Sequence, residues 1–382
     1  MFPTIWHALL FGLVLLSWTY WIAVAITVAV FFARKARPVR EGYRPSVSLI
    51  KPVCGLEKNL YTNLSSACAQ DYPDYEVIYA LQNPEDPVLP ILERIRAENP
   101  QRRVRILVDP SAAGPNGRLC NILNATREAR SDVLVYSDSD MFLAPGYLGV
   151  IVAPLADPKI GVSCTLYRAQ GAVNMWESLE LLSLNTEFVP SMIFATMTGA
   201  ALACPGASQA IRRETLEKIG GLASMADHLV EDLELGRRIS AAGLEVVIGP
   251  HVAATGVDLK GWRPWWRHQV YWDQNTRAAC PAGFFFTCLV RGVPLAVLYS
   301  FVMLPYGGLR LELLLATIAL RLGSAASCCL YLGDREGLRT VWLLPLRDLA
   351  GAASWAASFL QRKVYWKGRV FVLAGNRLVE SA

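Results

Sequence analysis

The sequence is short of charged residues. Only 18% of its 382 residues are Asp, Glu, Lys or Arg, whereas soluble domains usually have roughly 25%. In contrast, 53% are hydrophobic and the mean hydropathy is positive, which predicts membrane-spanning segments. The net charge is +5, and the Lys and Arg residues cluster beside apolar runs. This favours a basic collar at a membrane surface over nucleic-acid binding, for which no motif is present.

Several common signatures are missing as well. None of the nine cysteines lies in C-x-x-C spacing, so we expect reduced core cysteines rather than a disulfide framework or a zinc site. There is no Walker A motif and no G-x-G-x-x-G motif, so neither an ATPase nor a dinucleotide-binding enzyme is indicated. The cysteine usage fits a soluble part that faces the cytosol.

Long apolar runs lie at both ends of the chain. Ile5–Ala33 exceeds the ~20 residues needed to cross a membrane and predicts a retained anchor. Positive charges follow this run, which places the next domain in the cytoplasm and the N-terminus outside. These charges are Arg34, Lys35, Arg37 and Arg40.

Three further apolar runs follow Pro281, at Phe284–Leu304, Leu309–Leu332 and Val341–Leu360. Each contains charged residues, which are costly at mid-membrane, so one run is expected to lie in the interface or to pack against another. A basic tail favours a cytoplasmic C-terminus, and we therefore expect an odd number of crossings: the first helix and two of these runs. The basic residues of the tail are Arg362, Lys363, Lys367 and Arg369.

Between the membrane runs, the pattern is that of an α/β domain. Short β-branched or apolar runs alternate with helical segments, which predicts a doubly wound parallel sheet. The predicted strands are Ser46–Lys51, Glu76–Gln82, Val104–Val108, Val133–Tyr136 and Ile160–Tyr167.

The stretch Val133–Asp140 runs from four apolar or aromatic residues into Ser-Asp-Ser-Asp. Ligands bind at the carboxyl ends of such strands, and alternation places Asp138 and Asp140 on one side of the chain. Carboxylate oxygens are the ligands that Mg²⁺ and Mn²⁺ prefer. The alternative is an ordinary acidic turn after a strand.

Other polar groups follow the neighbouring strands. Asp86 and Asp109 end two of them, which suggests a crevice for a nucleotide and a metal ion. The loop Gly114–Arg118 then offers backbone amides and a guanidinium before a helix that contains Asn121, a combination that suits a diphosphate. An ordinary surface loop explains the same residues.

Two more segments carry candidate functional groups. Glu231 and Asp232 begin an amphipathic helix, where the helix dipole alone accounts for acidic residues, although an aspartate in a crevice can also act as a general base. The segment Trp262–Trp272 has five aromatic residues and two arginines in eleven positions, which predicts an interfacial helix on the bilayer.

Taken in order, these motifs resemble the membrane-bound family 2-type glycosyltransferases with a GT-A domain. They are most similar to the ceramide glucosyltransferase family, family 21, and its bacterial relatives that glycosylate hopanoids. The matching segments are Lys51–Glu57, Asn59-Leu60, Gln70–Pro73, Tyr75–Val77, Gln82–Pro87, Asn116–Asn121, Ser137–Asp140, Glu231-Asp232 and His268–Trp272.

The resemblance implies an inverting transfer from a UDP-sugar, with a Mg²⁺ or Mn²⁺ ion on its diphosphate. It implies that Asp86 lies near the uridine, that Asp138 and Asp140 hold the metal, and that Asp232 is the general base. The remaining substrate-binding residues it implies are Asn116, Arg118, Asn121, His268 and Trp272.

Two positions depart from the family pattern. The closing motif is usually Q/R-x-x-R-W, whereas this chain has His268-Gln269-Val270-Tyr271-Trp272, with Tyr271 at the arginine position. Arg267 or Arg277 could supply the missing cation. Arg118 stands where relatives often have lysine, which keeps the charge but changes the hydrogen-bond geometry.

We therefore expect an anchor and basic linker over residues 1–40, a cytoplasmic GT-A domain over 41–277 and C-terminal membrane helices over 278–382. The expected activity is transfer of a sugar, glucose as first choice, to a membrane lipid of ceramide type. The protein is expected in a membrane, crossing it several times, as in a bacterial inner membrane. The alternatives are a hopanoid glycosyltransferase using UDP-N-acetylglucosamine, a processive polysaccharide synthase and an inactive membrane scaffold.

Overall fold

The computed structural model describes residues 2–34, 42–306, 309–361, 363–366 and 369–380. They cluster into two compact units. The helical unit comprises the described residues of Met1–Arg34, Ala169–Ala201 and Leu259–Leu373, and the sheet unit those of Lys35–Arg168, Leu202–Asp258 and Ala374–Ala382. Five of the basic residues predicted to flank the membrane runs lie outside the described residues. They are Lys35, Arg37, Arg40, Arg362 and Lys367.

The helices are, in chain order, α1 (Phe2–Ala33), α2 (Leu60–Ser65), α3 (Leu89–Glu98), α4 (Gly117–Glu128), α5 (Tyr147–Val152), α6 (Met175–Ser183), α7 (Val189–Thr198), α8 (Arg213–Lys218), α9 (Glu231–Ala241), α10 (Trp262–Ala279), α11 (Pro281–Phe286), α12 (Gly292–Val302), α13 (Arg310–Leu332), α14 (Arg335–Thr340) and α15 (Leu344–Leu360). A π-helical turn, Leu184–Phe188, joins α6 to α7.

The strands are β1 (Val47–Pro52), β2 (Tyr75–Leu81), β3 (Arg103–Val108), β4 (Val133–Ser137), β5 (Met141–Phe142), β6 (Ile160–Gln170), β7 (Ser208–Arg212), β8 (Glu245–Gly256), β9 (Lys363–Trp366), β10 (Arg369–Ala374) and β11 (Arg377–Glu380). The first eight form one sheet in the order β3-β2-β1-β4-β7-β6-β8-β5.

Half of this sheet is parallel, as predicted, and half is not. β1 pairs in parallel with β2 and with β4, with Val47 beside both Tyr75 and Val133. β7 then pairs antiparallel with β4, and β6 antiparallel with β7, so the prediction of an all-parallel sheet is wrong beyond β4. The sequence of β7, Ser208–Arg212, lacks the apolar run that marked the other buried strands, although four of its five residues are buried.

The parallel strands explain where the site forms. β1, β2 and β4 are buried along their whole length, because both faces of the sheet are covered. Their carboxyl ends meet at one edge, which is where the loops after Pro52, Leu81 and Ser137 leave the sheet.

In the helical unit, two of the described helices are long and apolar enough to cross a membrane, α1 over Ile5–Ala33 and α13. A third span exists if Pro281–Val290 and Gly292–Val302 count as one, since a bend of 55° separates them. α15 has 17 residues and is shorter than a typical span. The expected three crossings therefore depend on the bent pair.

The Trp-rich helix α10 contributes partly to the core of the helical unit. Trp265 is 2% exposed and packs with Leu182 and Leu344, whereas Trp262 is 50% exposed. The interfacial location of α10 stays a prediction, and its exposed rings are compatible with it. Trp265, however, is a core residue of this unit.

Candidate active site

The turn after β4 holds the two aspartates of the D-x-D motif. The Lys51 side chain is fully buried, and its Nζ donates to the backbone carbonyls of Asp138 at 2.8 Å and Met141 at 3.0 Å. Asn63 Nδ2 donates to the carbonyl of Asp140 at 3.0 Å. The turn is therefore held through its backbone, which leaves the two carboxylates available for other partners.

The Asp140 carboxyl lies in a partly buried and strongly acidic setting. Burial raises its pKa to about 6, with further contributions from the charges of Asp138 and Glu57. Thr255 Oγ1 donates to Asp140 Oδ2 at 3.0 Å and counteracts part of this shift. Glu57 is anchored beside the motif because Ser139 Oγ donates to its Oε2 at 2.8 Å.

Arg118 joins the D-x-D motif to helix α9. Its Nε donates to Asp138 Oδ1 at 2.6 Å, its Nη1 to Glu231 Oε1 at 2.6 Å and its Nη2 to the carbonyl of Gly206 at 2.7 Å. Burial lowers the pKa of Arg118, but the carboxylates of Asp138 and Glu231 more than offset this effect and raise it overall. In this structure the predicted diphosphate cation is thus paired with two carboxylates.

Asn116 fixes the start of helix α4 and contacts the same acidic residue. Its Oδ1 caps the helix by accepting from the Leu119 amide at 3.0 Å. Its Nδ2 donates to Glu231 Oε2 at 2.9 Å and to the carbonyl of His228 at 3.0 Å. Asn116 and Arg118 therefore both orient the Glu231 carboxylate.

Asp232 lies next to Glu231, and its carboxylate receives backbone hydrogen bonds. Gly206 N donates to Oδ2 at 2.8 Å and Leu233 N to Oδ1 at 2.7 Å. Burial, followed by the charge of Glu231, raises the pKa of Asp232 to about 7, while Arg118 partly lowers it. A Cβ at Gly206 would come within 2.7 Å of Asp232 Oδ2, so glycine is required for this close approach.

Asp86 and Asn121 hold the loop that follows β1. Both Asp86 oxygens accept from Gly55 N, at 3.2 and 3.0 Å, and its Oδ1 also accepts from Val88 N at 3.0 Å. Asn121 Nδ2 donates to the carbonyl of Val53 at 3.3 Å. Its buried Oδ1 has no hydrogen-bond partner among the described residues, so it can accept from a ligand.

Two of the predicted site residues, His268 and Trp272, lie on α10 in the helical unit. Trp272 Nε1 donates to His268 Nε2 at 3.2 Å, and His268 Nδ1 lies 3.1 Å from Glu180 Oε1. Since Nε2 accepts, a neutral His268 carries its proton on Nδ1, toward Glu180. A direct role of His268 and Trp272 in substrate binding stays a prediction.

The carboxylates of the D-x-D motif suit a hard divalent cation that takes its remaining ligands from substrate and water. The described residues contain no group of three or more His, Cys, Asp or Glu side chains placed to hold a metal ion. However, Mg²⁺-type sites usually use one or two carboxylates and complete their shell with substrate phosphates and water. Asp138 and Asp140 are oxygen donors of this kind. The pKa of Asp140 is raised by burial first and then by the neighbouring carboxylates, whose negative charge a cation would offset.

Sequence reasoning missed several groups that shape this site. Thr255 gave no signal, because a threonine in a later strand becomes a neighbour of the D-x-D motif only through the fold. Lys51 begins a segment that matched the family pattern, but it had no assigned role. Glu57 and Glu231 lay inside segments that matched the family pattern but had no assigned role. Glu231, as the direct sequence neighbour of Asp232, could have been noted as a source of local negative charge.

Comparisons with known proteins identify the family of this chain and its fold. The family model described as Glycosyl transferase family 21 matches residues 5–379. The chain is 24% identical over 210 residues to ceramide glucosyltransferase 1 of Caenorhabditis elegans, covering 55% of this chain and 45% of that protein. It is 31% identical over 134 residues to the ceramide glucosyltransferase of Gibberella zeae, covering 32% and 25%. The chain thus covers less than half of either relative.

A solved structure shares the fold. The mannosyltransferase PcManGT from Pyrobaculum calidifontis, solved in complex with GDP-Man and Mn²⁺, aligns with a TM-score of 0.60 and 18% identity. The alignment covers 92% of this chain and 99% of that one. The predicted α/β GT-A fold is confirmed by this likeness, which concerns the fold alone.

Proposed function

Because the chain belongs to glycosyl transferase family 21, we propose that its sheet unit moves a sugar from a UDP-sugar to a hydroxyl group of a membrane lipid. Glucose and a ceramide-type lipid are the first-choice substrates, since the names of the curated relatives describe that pair. A hopanoid acceptor with UDP-N-acetylglucosamine is the alternative. The reaction is a single inverting displacement at the anomeric carbon.

One observation carries the proposal: Arg118 links Asp138 of the D-x-D motif to Glu231, the neighbour of Asp232. One planar guanidinium thereby contacts both the carboxylate that we assign to the metal and the helix that carries the proposed base. Displacement of a diphosphate by an alcohol requires both a site for the leaving group and a base, placed in a defined geometry. These residues supply both within the sheet unit.

At the donor side, Asp138 and Asp140 would hold a Mg²⁺ or Mn²⁺ ion, which when bound neutralises charge on the diphosphate leaving group. The backbone hydrogen bonds from Lys51 keep the turn in place while the carboxylates bind. Asp86 and Asn121 order the loop Val53–Gly55, which we assign to the uridine side of the donor.

At the acceptor side, Asp232 takes the proton of the lipid hydroxyl. The acceptor oxygen forms a bond to the anomeric carbon, and the bond from that carbon to the UDP oxygen breaks, with its electron pair leaving on UDP. A base works best when its pKa lies near the operating pH, and the pKa of Asp232 is raised to about 7. The amide of Gly206 holds Oδ2 in place.

Membrane association follows from α1 and α13. We propose a multi-pass arrangement in which α1, the bent α11–α12 pair and α13 cross the bilayer, with the sheet unit in the cytoplasm. An insoluble acceptor would then reach the enzyme from the bilayer, with the Trp-rich helix α10 at the interface. The domain limits at residues 40 and 277 stay part of this proposal.

The test is transfer by the purified full chain in detergent or nanodiscs. UDP-glucose and Mg²⁺ or Mn²⁺ are supplied with ceramide, with a hopanoid or with a total lipid extract, and products are identified by mass spectrometry. One glucose added to ceramide is the expected result. A product that appears only with UDP-N-acetylglucosamine and a hopanoid favours the alternative, and a polymer would point to a polysaccharide synthase. Binding of UDP-glucose without transfer to any lipid would contradict the acceptor class.

A further inference from the structure

The C-terminal segment of the sheet unit contacts the loop that precedes Asp232. Leu229 N donates to the carbonyl of Asn376 at 2.8 Å, and Val230 N donates to Asn376 Oδ1 at 3.2 Å. Two residues further along, Leu378 N donates to the carbonyl of Asp227 at 2.8 Å. Nearly 150 residues separate these partners along the chain, with His228 and Arg377 forming an antiparallel bridge between them.

These contacts supply hydrogen-bond partners to backbone amides at the start of helix α9, where the N-cap side chain makes no hydrogen bond. Val230 is the N-cap residue of α9, and its side chain makes no capping hydrogen bond. The amide of an N-cap residue has no partner within its helix, so it must find one elsewhere. Asn376 Oδ1 provides that partner from the far end of the chain. The first two residues of the helix are Glu231 and Asp232.

The opposite side of the same loop rests on the Asn116 region. Asn116 N donates to the carbonyl of Ala226 at 3.0 Å, and its Nδ2 donates to the carbonyl of His228. A Cβ at Gly114 would lie 2.6 Å from the Ala226 carbonyl oxygen, so the two segments are in close contact. The loop is therefore held between the Asn116 region on one side and Asn376 on the other.

We propose that Asn376 is a positioning residue that sets the start of helix α9 and thereby orients Asp232. The turn suits this task, because Gly375 has a φ of 67° and lets the chain reverse directly before Asn376. Asn376 presents a backbone carbonyl and a side-chain oxygen to two successive amides. The orienting role for catalysis rests on the proposed function, whereas the contact itself does not.

Hydrogen–deuterium exchange on the full chain tests the contact without any activity. Asn376→Ala removes Oδ1, and peptides covering 226–233 should then exchange at least about fivefold faster, since loss of a cap costs about 1 kcal/mol. Asn376→Asp keeps the oxygen and should retain protection. Val379→Ala, at an exposed position three residues further along the same segment, is the matched control.

Peptides from β4 report global folding in the same measurement. If Asn376→Ala also loses protection in β4, Asn376→Leu, which removes the acceptor but keeps a similar side-chain volume, replaces it for the comparison. Faster exchange confined to 226–233 supports the inference. Equal exchange of these peptides in all variants overturns it, whatever the activity of the protein.

Kinetics then separates positioning from a merely structural role. With UDP-glucose and the lipid acceptor, Asn376→Ala should lower kcat about five- to tenfold with KM for UDP-glucose within about twofold, and Asn376→Asp should restore most of kcat. An unchanged kcat despite faster exchange would overturn the orienting role. If the unaltered protein transfers no sugar, the proposed function fails, and the exchange data still decide the contact.

Discussion

Both units bury arginines beside carboxylates, but the two clusters differ in their charge balance. In the helical unit, Arg321 Nε lies 3.0 Å from Asp348 Oδ2, and its Nη1 donates to the Thr186 carbonyl at 3.2 Å. Arg347 pairs with Glu187 and donates to Ser183 Oγ at 2.8 Å. Each of these guanidinium groups therefore has both an opposite charge and a hydrogen-bond partner.

In the sheet unit, carboxylates outnumber the cations among them. Arg118 and Lys51 face a larger set of acidic side chains, and the pKa values of Asp140 and Asp232 are both raised. These acidic side chains are Glu57, Asp138, Asp140, Glu231 and Asp232.

This difference in charge balance distinguishes a cluster that stabilises helix packing from one that can bind a cation or exchange a proton. Balanced, hydrogen-bonded pairs join helices and explain how charged residues are tolerated in apolar segments. A buried excess of one charge costs folding free energy, and it is the arrangement in which titration and cation binding occur. On this basis we assign the proposed active site to the sheet-unit cluster and a structural role to the Arg321–Asp348 cluster.

The largest effect is expected from removing the base. Asp232→Asn should lower kcat on the order of 10³-fold, because an amide cannot take the proton of the lipid hydroxyl. UDP binding, measured by calorimetry, should stay largely intact. Glu234→Gln is the matched control on the same helix, since Glu234 pairs with Arg238 at 3.0 Å, and it should keep turnover within about twofold. Retained turnover in Asp232→Asn would refute the base assignment.

A smaller loss is expected at the D-x-D motif. Asp140→Asn should reduce kcat about 100-fold and weaken Mn²⁺ binding in the presence of UDP, because a charged oxygen ligand becomes neutral. Thr255→Val removes only the hydrogen bond to Asp140 Oδ2 and should cost about tenfold or less. Mn²⁺ binding that is equal in Asp140→Asn and the unaltered protein would rule out Asp140 as a ligand.

The pH dependence follows from Asp232. Its pKa is raised to about 7, and the deprotonated form is the base, so kcat/KM should rise with pH and level off above about 7. Between pH 8 and pH 5.5 the expected fall is about 30-fold, measured as initial rates at fixed metal and subsaturating lipid. A rate that is flat across this range would mean that another group accepts the proton.

Two further substitutions test the contrast between the two clusters directly. Arg321→Met should lower the free energy of unfolding by about 3 kcal/mol, because it leaves the buried Asp348 carboxylate without its partner. Arg118→Met should lower it by less, because Asp138 and Glu231 are only partly buried. Only Arg118→Met should also shift the acid limb of the pH profile to higher pH, because Arg118 lowers the pKa of Asp232. A shifted limb in Arg321→Met, or an unmoved one in Arg118→Met, would remove the distinction between the clusters.

Local sequence patterns predicted much of the fold. The strands β1 to β4 were predicted to within a few residues, and so was the start of helix α9, because buried parallel strands and amphipathic helices have distinct periodicities. β7 was missed, since its small and polar residues are buried by their neighbours rather than by their own hydrophobicity. β6 was predicted as a strand, but its antiparallel direction was not, because strand direction depends on how β7 is inserted between β4 and β6.

The sequence by itself determined which side chains are candidates for the chemistry: residue type, order and the family resemblance point to the D-x-D carboxylates, Arg118 and Asp232. Only the tertiary structure decided what each of them faces. Arg118 meets Asp138 and Glu231, and Asn376 reaches the loop before Asp232, because strand pairing and chain reversal bring together residues 20 to nearly 150 positions apart. Such contacts depend on the global register of the chain and leave no periodic signal in the sequence.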